Sequence, residues 1–243
     1  MTRSILATAL ACSALACGGE TRDGRNGDGA RDAASRGAPA ADRPTVLFLG
    51  TSLTAGLGLE PEEAYPAVLQ QKIDSAGLPF RVVNAGVSGE TSAGGLRRID
   101  WVLQQPIAVL VLELGANDAL RGQDLAVTKR NLQEIIDRTR ERQPEARIVI
   151  AGMQAPPNLG LAYTRRFREL FAELARENDA ALIPFLLEGV GGVPSLNQSD
   201  GIHPNAAGAR IMAENVWHAL EPILRRAARS ARLPAVAEPR APV

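Results

Sequence analysis

Histidine, lysine and cysteine are scarce in this chain, and each shortage closes off a class of chemistry. Two histidines, His203 and His218, cannot build a multi-histidine metal centre. Both cysteines, Cys12 and Cys17, fall within the first 17 residues, so the body of the chain has neither a disulfide nor a cysteine nucleophile. Only two of the 27 basic residues are lysine, Lys72 and Lys129; the arginines are scattered, and 27 acids bring the net charge to zero. No basic field is available to hold nucleic acid. Aromatic residues make up 4%, which leaves no visible stacking platform for a polysaccharide. The remainder, 243 residues at 45% hydrophobic and 22% charged, suits a soluble globular chain of one large domain or two small ones.

The first apolar run is too short to cross a bilayer, which takes about 20 residues. Arg3 supplies a positive start, Ile5 to Ala16 is apolar, and Ala14-Leu15-Ala16-Cys17 closes the run with small residues. Residues 1–16 therefore read as a secretion signal that carries the protein out of the cytoplasm to the cell envelope. The pattern resembles a bacterial lipoprotein signal, and by that resemblance Cys17 is the lipidated anchor. Cys12 follows the same Ala-Leu-Ala triplet and is an alternative position, and an ordinary signal without lipidation is an alternative reading. Residues 17–43 follow as a tether. From Gly18 to Arg43 five Arg and five acids alternate among six Gly with no large apolar residue, a composition unable to bury enough surface to order itself. At the other end residues 229–243 are expected to fray as a disordered tail, rich in Ala, Arg and Pro.

Between these flanks, residues 44–228 read as one α/β domain. Continuous apolar runs predict buried strands at Thr45 to Gly50, Arg81 to Asn84, Ile107 to Leu114 and Arg147 to Gly152, with a shorter fifth at Ala181 to Ile183. Helical stripes alternate with them: Tyr65, Val68, Leu69, Lys72 and Ile73, stopped by Gly77; Thr128, Leu132, Ile135, Ile136 and Thr139, ended by Gln143-Pro144; Tyr163, Phe167, Leu170, Phe171 and Leu174; and about Asn205 to Leu220. Such alternation predicts a parallel sheet with helices on both faces, whose ligands lie beyond the carboxyl ends of the strands.

The polar residues after each strand are therefore the candidates. Gly50-Thr51-Ser52-Leu53-Thr54-Ala55-Gly56 follows the first strand; lacking phosphate-loop spacing, it is a turn able to present the Ser52 hydroxyl. A serine needs a base. His218 reads as an exposed helical histidine, whereas His203 lies in Ser199-Asp200-Gly201-Ile202-His203-Pro204 just before the last helix. Asp200 and His203 can hold the imidazole in one tautomer, or the segment can be a helix-capping loop. Asn84 to Ser92 is a Gly-rich loop whose amides can approach a substrate oxygen, and Leu114-Gly115-Ala116-Asn117-Asp118 offers the Asn117 side-chain amide. Either could also be ordinary turn chemistry. Asp118 reads as a structural tie between loops.

The four blocks GTSLTAG, NAGVSGETS, ELGAND and DGIHPN, in this order, resemble the SGNH hydrolases, also called the GDSL family, of the bacterial arylesterase and thioesterase I/lysophospholipase type. The resemblance spans about Pro44 to Leu224 and implies a three-layer α/β/α sandwich around a five-stranded parallel, flavodoxin-like sheet. It places the nucleophile at Ser52, the triad partners at Asp200 and His203, and the oxyanion hole at Ser52, Gly89 and Asn117. Thr51 stands where the family usually has Asp, a change expected to alter loop hydrogen bonding more than catalysis. The loop Met153 to Gly160 resembles the family's substrate loop, which makes Ala155, Pro156 and Pro157 substrate-binding candidates; a plain connector is the alternative. The small Ala155 points to short acyl chains or aryl esters.

What the resemblance implies is an ester, thioester or lysophospholipid hydrolase working through an acyl-serine intermediate, with no metal or organic cofactor. The alternatives are a carbohydrate O-acetylesterase on the same fold and a non-catalytic envelope lipoprotein that binds lipid. No sequence signal sets an oligomeric state.

Overall fold

The computed structural model describes residues 43–232. The expected signal at 1–16, Cys12 and Cys17, and the tether up to residue 42 lie outside the described residues, as does the tail from residue 233.

Five parallel strands form one sheet in the order β2-β1-β3-β4-β5, with β1 at Thr45–Gly50, β2 at Arg81–Gly86, β3 at Val109–Glu113, β4 at Arg147–Ala151 and β5 at Ala181–Ile183. The apolar runs that predicted these strands are the buried interior: every residue of β1 and of β3 is buried. The edge strand β2 is only partly covered. The order reverses direction beside β1, so the chain is doubly wound and leaves a crevice at the carboxyl ends of β1, β2 and β3.

Helices α2 (Tyr65–Ser75) and α7 (Ala206–Arg232) pack against each other on one face of the sheet. Helices α3 (Ser92–Val102), α5 (Leu125–Arg142) and α6 (Leu161–Glu177) pack on the other, completing the expected three layers. The stripe expected on α5 is buried at all five positions, Thr128, Leu132, Ile135, Ile136 and Thr139. Two short helices, α1 (Ser52–Ala55) and α4 (Ala116–Leu120), follow β1 and β3 directly.

Two elements depart from expectation. Helix α3 has no counterpart among the predicted stripes, because Gly94 and Gly95 lower its intrinsic helicity. Helix α7 runs through Pro222 to Arg232, past the expected domain boundary at 228. Burial of Leu220, Leu224 and Ala228 along one face holds it together beyond the proline, and Ala and Arg favour its last turns. Among the described residues no helix is long and apolar enough to cross a membrane.

Candidate active site

The residues singled out at the strand ends meet at the carboxyl edge of the sheet. Ser52 opens α1 directly after β1, buried to 9% exposure. Thr51 caps that helix, its hydroxyl accepting the Leu53 N–H. The turn can lie flat on the sheet because the paired residues beneath it, Gly50 and Gly86, have no side chains. A Cβ at Gly86 would stand 2.3 Å from the Ala55 nitrogen, and one at Gly50 would stand 2.1 Å from Thr54 Oγ1.

His203 reaches this turn from a point 151 residues further along the chain. Its loop closes on itself. An isolated bridge joins Asn197 to Pro204, the Gln198 N–H donates to the His203 carbonyl at 2.7 Å, and Asp200 Oδ1 accepts the N–H groups of Ile202 and His203 at 2.9 and 3.0 Å. Asn205 then caps α7 by accepting the Ala207 and Gly208 N–H groups. The backbone N–H of His203 first, and then its ring and the N–H of Ile202, hold the Asp200 carboxyl down at about 2. An ionised Asp200 accepts only, so His203 Nδ1 carries the proton in their 2.6 Å bond. Nε2 is left as an acceptor, 2.9 Å from Ser52 Oγ. Ser52, His203 and Asp200 thus form one hydrogen-bonded line, and the second histidine, His218, is exposed on α7.

The loops after β2 and β3 are fastened to each other. The Asn117 side-chain amide donates to the Glu90 carbonyl at 3.0 Å, and Arg121 donates to the Gly89 carbonyl at 3.0 Å. Asp118 is the expected tie: it accepts the Ser92 N–H at 2.8 Å and the Ser92 hydroxyl at 2.5 Å. Arg98 on α3 forks onto the Glu90 carboxylate and also donates to the Ala85 carbonyl, gripping the same loop from behind.

Ala155 and Pro156 are half-buried in the loop after β4, and Pro157 is exposed at the start of a short 3-10 turn. None of the three lines the small cavity of about 10 Å³ that Ser52 and His203 share with Leu53, Leu57, Leu59, Pro204 and Met212. A far larger cavity of about 820 Å³ opens at the amino-terminal edge of the sheet and touches none of the candidate residues, so cavity size does not locate this site.

Sequence reasoning passed over Glu113, Arg98 and Arg121. Glu113 carried a signal, as the one charge inside the apolar run VLVLEL that forms β3. Its carboxylate accepts the Thr51 N–H at 2.8 Å and the hydroxyls of Thr51 and Thr54 at 2.9 and 2.7 Å, all while 1% exposed. Burial pushes its carboxyl up to about 7 against the opposing pull of the threonine bonds.

Comparisons with known proteins give the family. Residues 48–211 match the model of the GDSL-like lipase/acylhydrolase family. The chain is 42% identical over 181 residues to the esterase TesA of Pseudomonas aeruginosa, covering 74% of this chain and 89% of that protein. It is 38% identical over 189 residues to a thioesterase/protease/lysophospholipase of Escherichia coli, covering 77% and 87%. A crystal structure of TesA superposes with a TM-score of 0.71 at 42% identity, over 74% of this chain and 99% of that one. With the fold, the order of the blocks and the relatives in accord, this chain belongs to the GDSL-like lipase/acylhydrolase family and is an ester-bond hydrolase.

Proposed function

We propose that Ser52 is the nucleophile, with His203 as its general base and Asp200 as the group that orients and stabilises the imidazole. The observation that carries this reading is the continuous line from Ser52 Oγ to His203 Nε2 at 2.9 Å and from His203 Nδ1 to Asp200 at 2.6 Å. As Ser52 Oγ bonds to the carbonyl carbon of an ester or thioester, its proton passes to His203 Nε2. The imidazolium so formed faces a carboxylate already ionised. Charge on the tetrahedral oxygen is met by the amide N–H groups of Ser52 and Gly89 and by the Asn117 side chain, each donor contributing about 3 kcal/mol. His203 then protonates the leaving alcohol or thiol, leaving acyl-Ser52. Water deprotonated by His203 attacks the acyl carbon, and His203 returns that proton to Ser52 Oγ as the acid leaves. This chemistry calls for no metal or organic cofactor.

The substrates are small carboxylic esters, thioesters or lysophospholipids, in keeping with relatives named as esterase, thioesterase/lysophospholipase and arylesterase. Ala155, Pro156 and Pro157, in the loop after β4 and outside the small Ser52–His203 cavity, are the candidates for the acyl side, and the small Ala155 favours short acyl or aryl groups. A fluorophosphonate probe should label the wild-type protein and not Ser52→Ala, whose kcat should fall on the order of a million-fold. An unlabelled wild type would overturn the assignment. Rates across an acyl series from acetyl to palmitoyl read the chain-length preference.

Export through residues 1–16, with Cys17 as lipid anchor, completes the reading. Cys17→Ser should shift the protein from membrane to soluble fractions, and an unchanged distribution would rule out lipidation there.

A further inference from the structure

The turn that carries Ser52 is held to the sheet by a residue of the neighbouring strand. Glu113 lies opposite Gly50 in the parallel register, and its carboxylate folds over the space that a side chain at Gly50 would fill: a Cβ there would lie 2.5 Å from Glu113 Oε2. Donors from both sides of Ser52 converge on it. Thr51, just before Ser52, gives its N–H and its hydroxyl, and Thr54, two residues after, gives its hydroxyl. Because the Thr54 proton is committed to Glu113, the Tyr65 hydroxyl donates to Thr54 Oγ1 in their 2.8 Å bond. Every proton in the cluster points towards the carboxylate, an arrangement that suits the ion. A charge 1% exposed in a strand otherwise made of Val and Leu costs stability that an aliphatic residue would not. Among the described residues its hydrogen-bond donors, Thr51 and Thr54, both belong to the nucleophile turn, and its compensation lies there.

We propose that the Glu113 carboxylate is the positioning residue of the nucleophile, fixing the turn from Thr51 to Thr54 so that Ser52 Oγ meets His203 Nε2. The inference rests on the role proposed above for Ser52. Around Glu113, β1 and α1 present Gly50, Thr51 and Thr54, none of which titrates, and α2 presents Tyr65, whose hydroxyl burial pushes well up and keeps neutral. The balance between acid and ion is therefore set by burial and by the threonine bonds, and it shifts near neutrality.

The test is Glu113→Gln, an amide of the same shape that cannot present two acceptor oxygens. Its fold is checked by circular dichroism and thermal melting. The expected kcat is lower on the order of tenfold to a hundredfold, with KM within about twofold, since misplacement of a reacting group costs rate rather than affinity. Labelling by the fluorophosphonate probe should slow by the same factor. On the acid limb, wild-type kcat should fall below pH 7 by an extra tenfold to hundredfold that is missing in Glu113→Gln, because protonation of Glu113 turns it into the neutral group that the amide already is. A folded Glu113→Gln with the kcat and acid limb of the wild type overturns the proposal. Should that variant fail to fold, Thr51→Val and Thr54→Val each remove one donor and keep the carboxylate, and full kcat in both overturns it equally. In the Glu113→Gln background Thr51→Val should add little, as expected of groups acting as one unit. Failure of the Ser52 assignment shows separately, as probe labelling that survives in Ser52→Ala.

Discussion

Asn117 donates to the Glu90 carbonyl, so the amide proposed as an oxyanion donor is already oriented before substrate arrives. A donor fixed in advance costs no reorganisation at the moment the oxyanion forms. Asn117→Ala should lower kcat by about 10² to 10³ with little change in KM, measured on a chromogenic ester. Thr51 shows a different economy of side chains. Its hydroxyl donates a hydrogen bond to Glu113, where an Asp would set a second carboxylate beside the first. The expectation that Thr51 alters loop bonding was therefore legible in the sequence, but its partner was not. Ser52, His203 and Asp200, which the structure joins in one hydrogen-bonded line, stood out because nucleophilic chemistry at a serine calls for those residue types after a strand or before a helix. Glu113 could be noticed as a charge among aliphatics; what it holds depends on the register between β1 and β3, which no local pattern encodes.

At the scale of elements, glycine both supported and obscured the reading. Gly50 and Gly86 let α1 rest on the sheet, and the run of small residues after β1 was readable as a turn. The same residue type hid α3, whose Gly95 admits the Leu114 side chain to 2.3 Å from where a Cβ would stand. That helix owes its existence to packing and to the Thr91 cap, neither of which registers as a hydrophobic stripe. Helix α7 outruns its expected end near Leu220, because its buried stripe continues past the exposed Pro222. Gly86→Ala should press a methyl group into the α1 backbone. The expected cost is about 1–3 kcal/mol in a denaturant titration, together with a fall in kcat, since the displaced segment carries Ser52. A melt and a rate both equal to the wild type would show that α1 has room to lift.

For the molecule as a whole, burial of Glu113 couples folding to pH. Its folded value of about 7 lies above the ordinary 4.5, so the native state binds this proton more tightly than the unfolded chain does. The associated stability is present below about pH 4.5, is lost as pH rises to about 7, and then levels off. The full amplitude is about 3 kcal/mol. The difference in unfolding free energy between Glu113→Gln and wild type should therefore shift in favour of the variant between pH 5 and pH 8. A difference independent of pH would mean that Glu113 does not titrate in that interval. Asp200 acts with the opposite sign and lower down: held at about 2, it favours the native state above its ordinary 3.8 and loses that contribution as pH falls through 2.

The two ends of the Ser52–His203 contact are made by the ribosome at widely separated times. Ser52 follows the first strand of the described residues, and His203 waits until the loop before helix α7 has been synthesised. A nascent or truncated chain that stops short of that loop has Ser52 without the histidine proposed as its base. On the proposed roles, ester hydrolysis therefore waits until nearly all of the domain has been made.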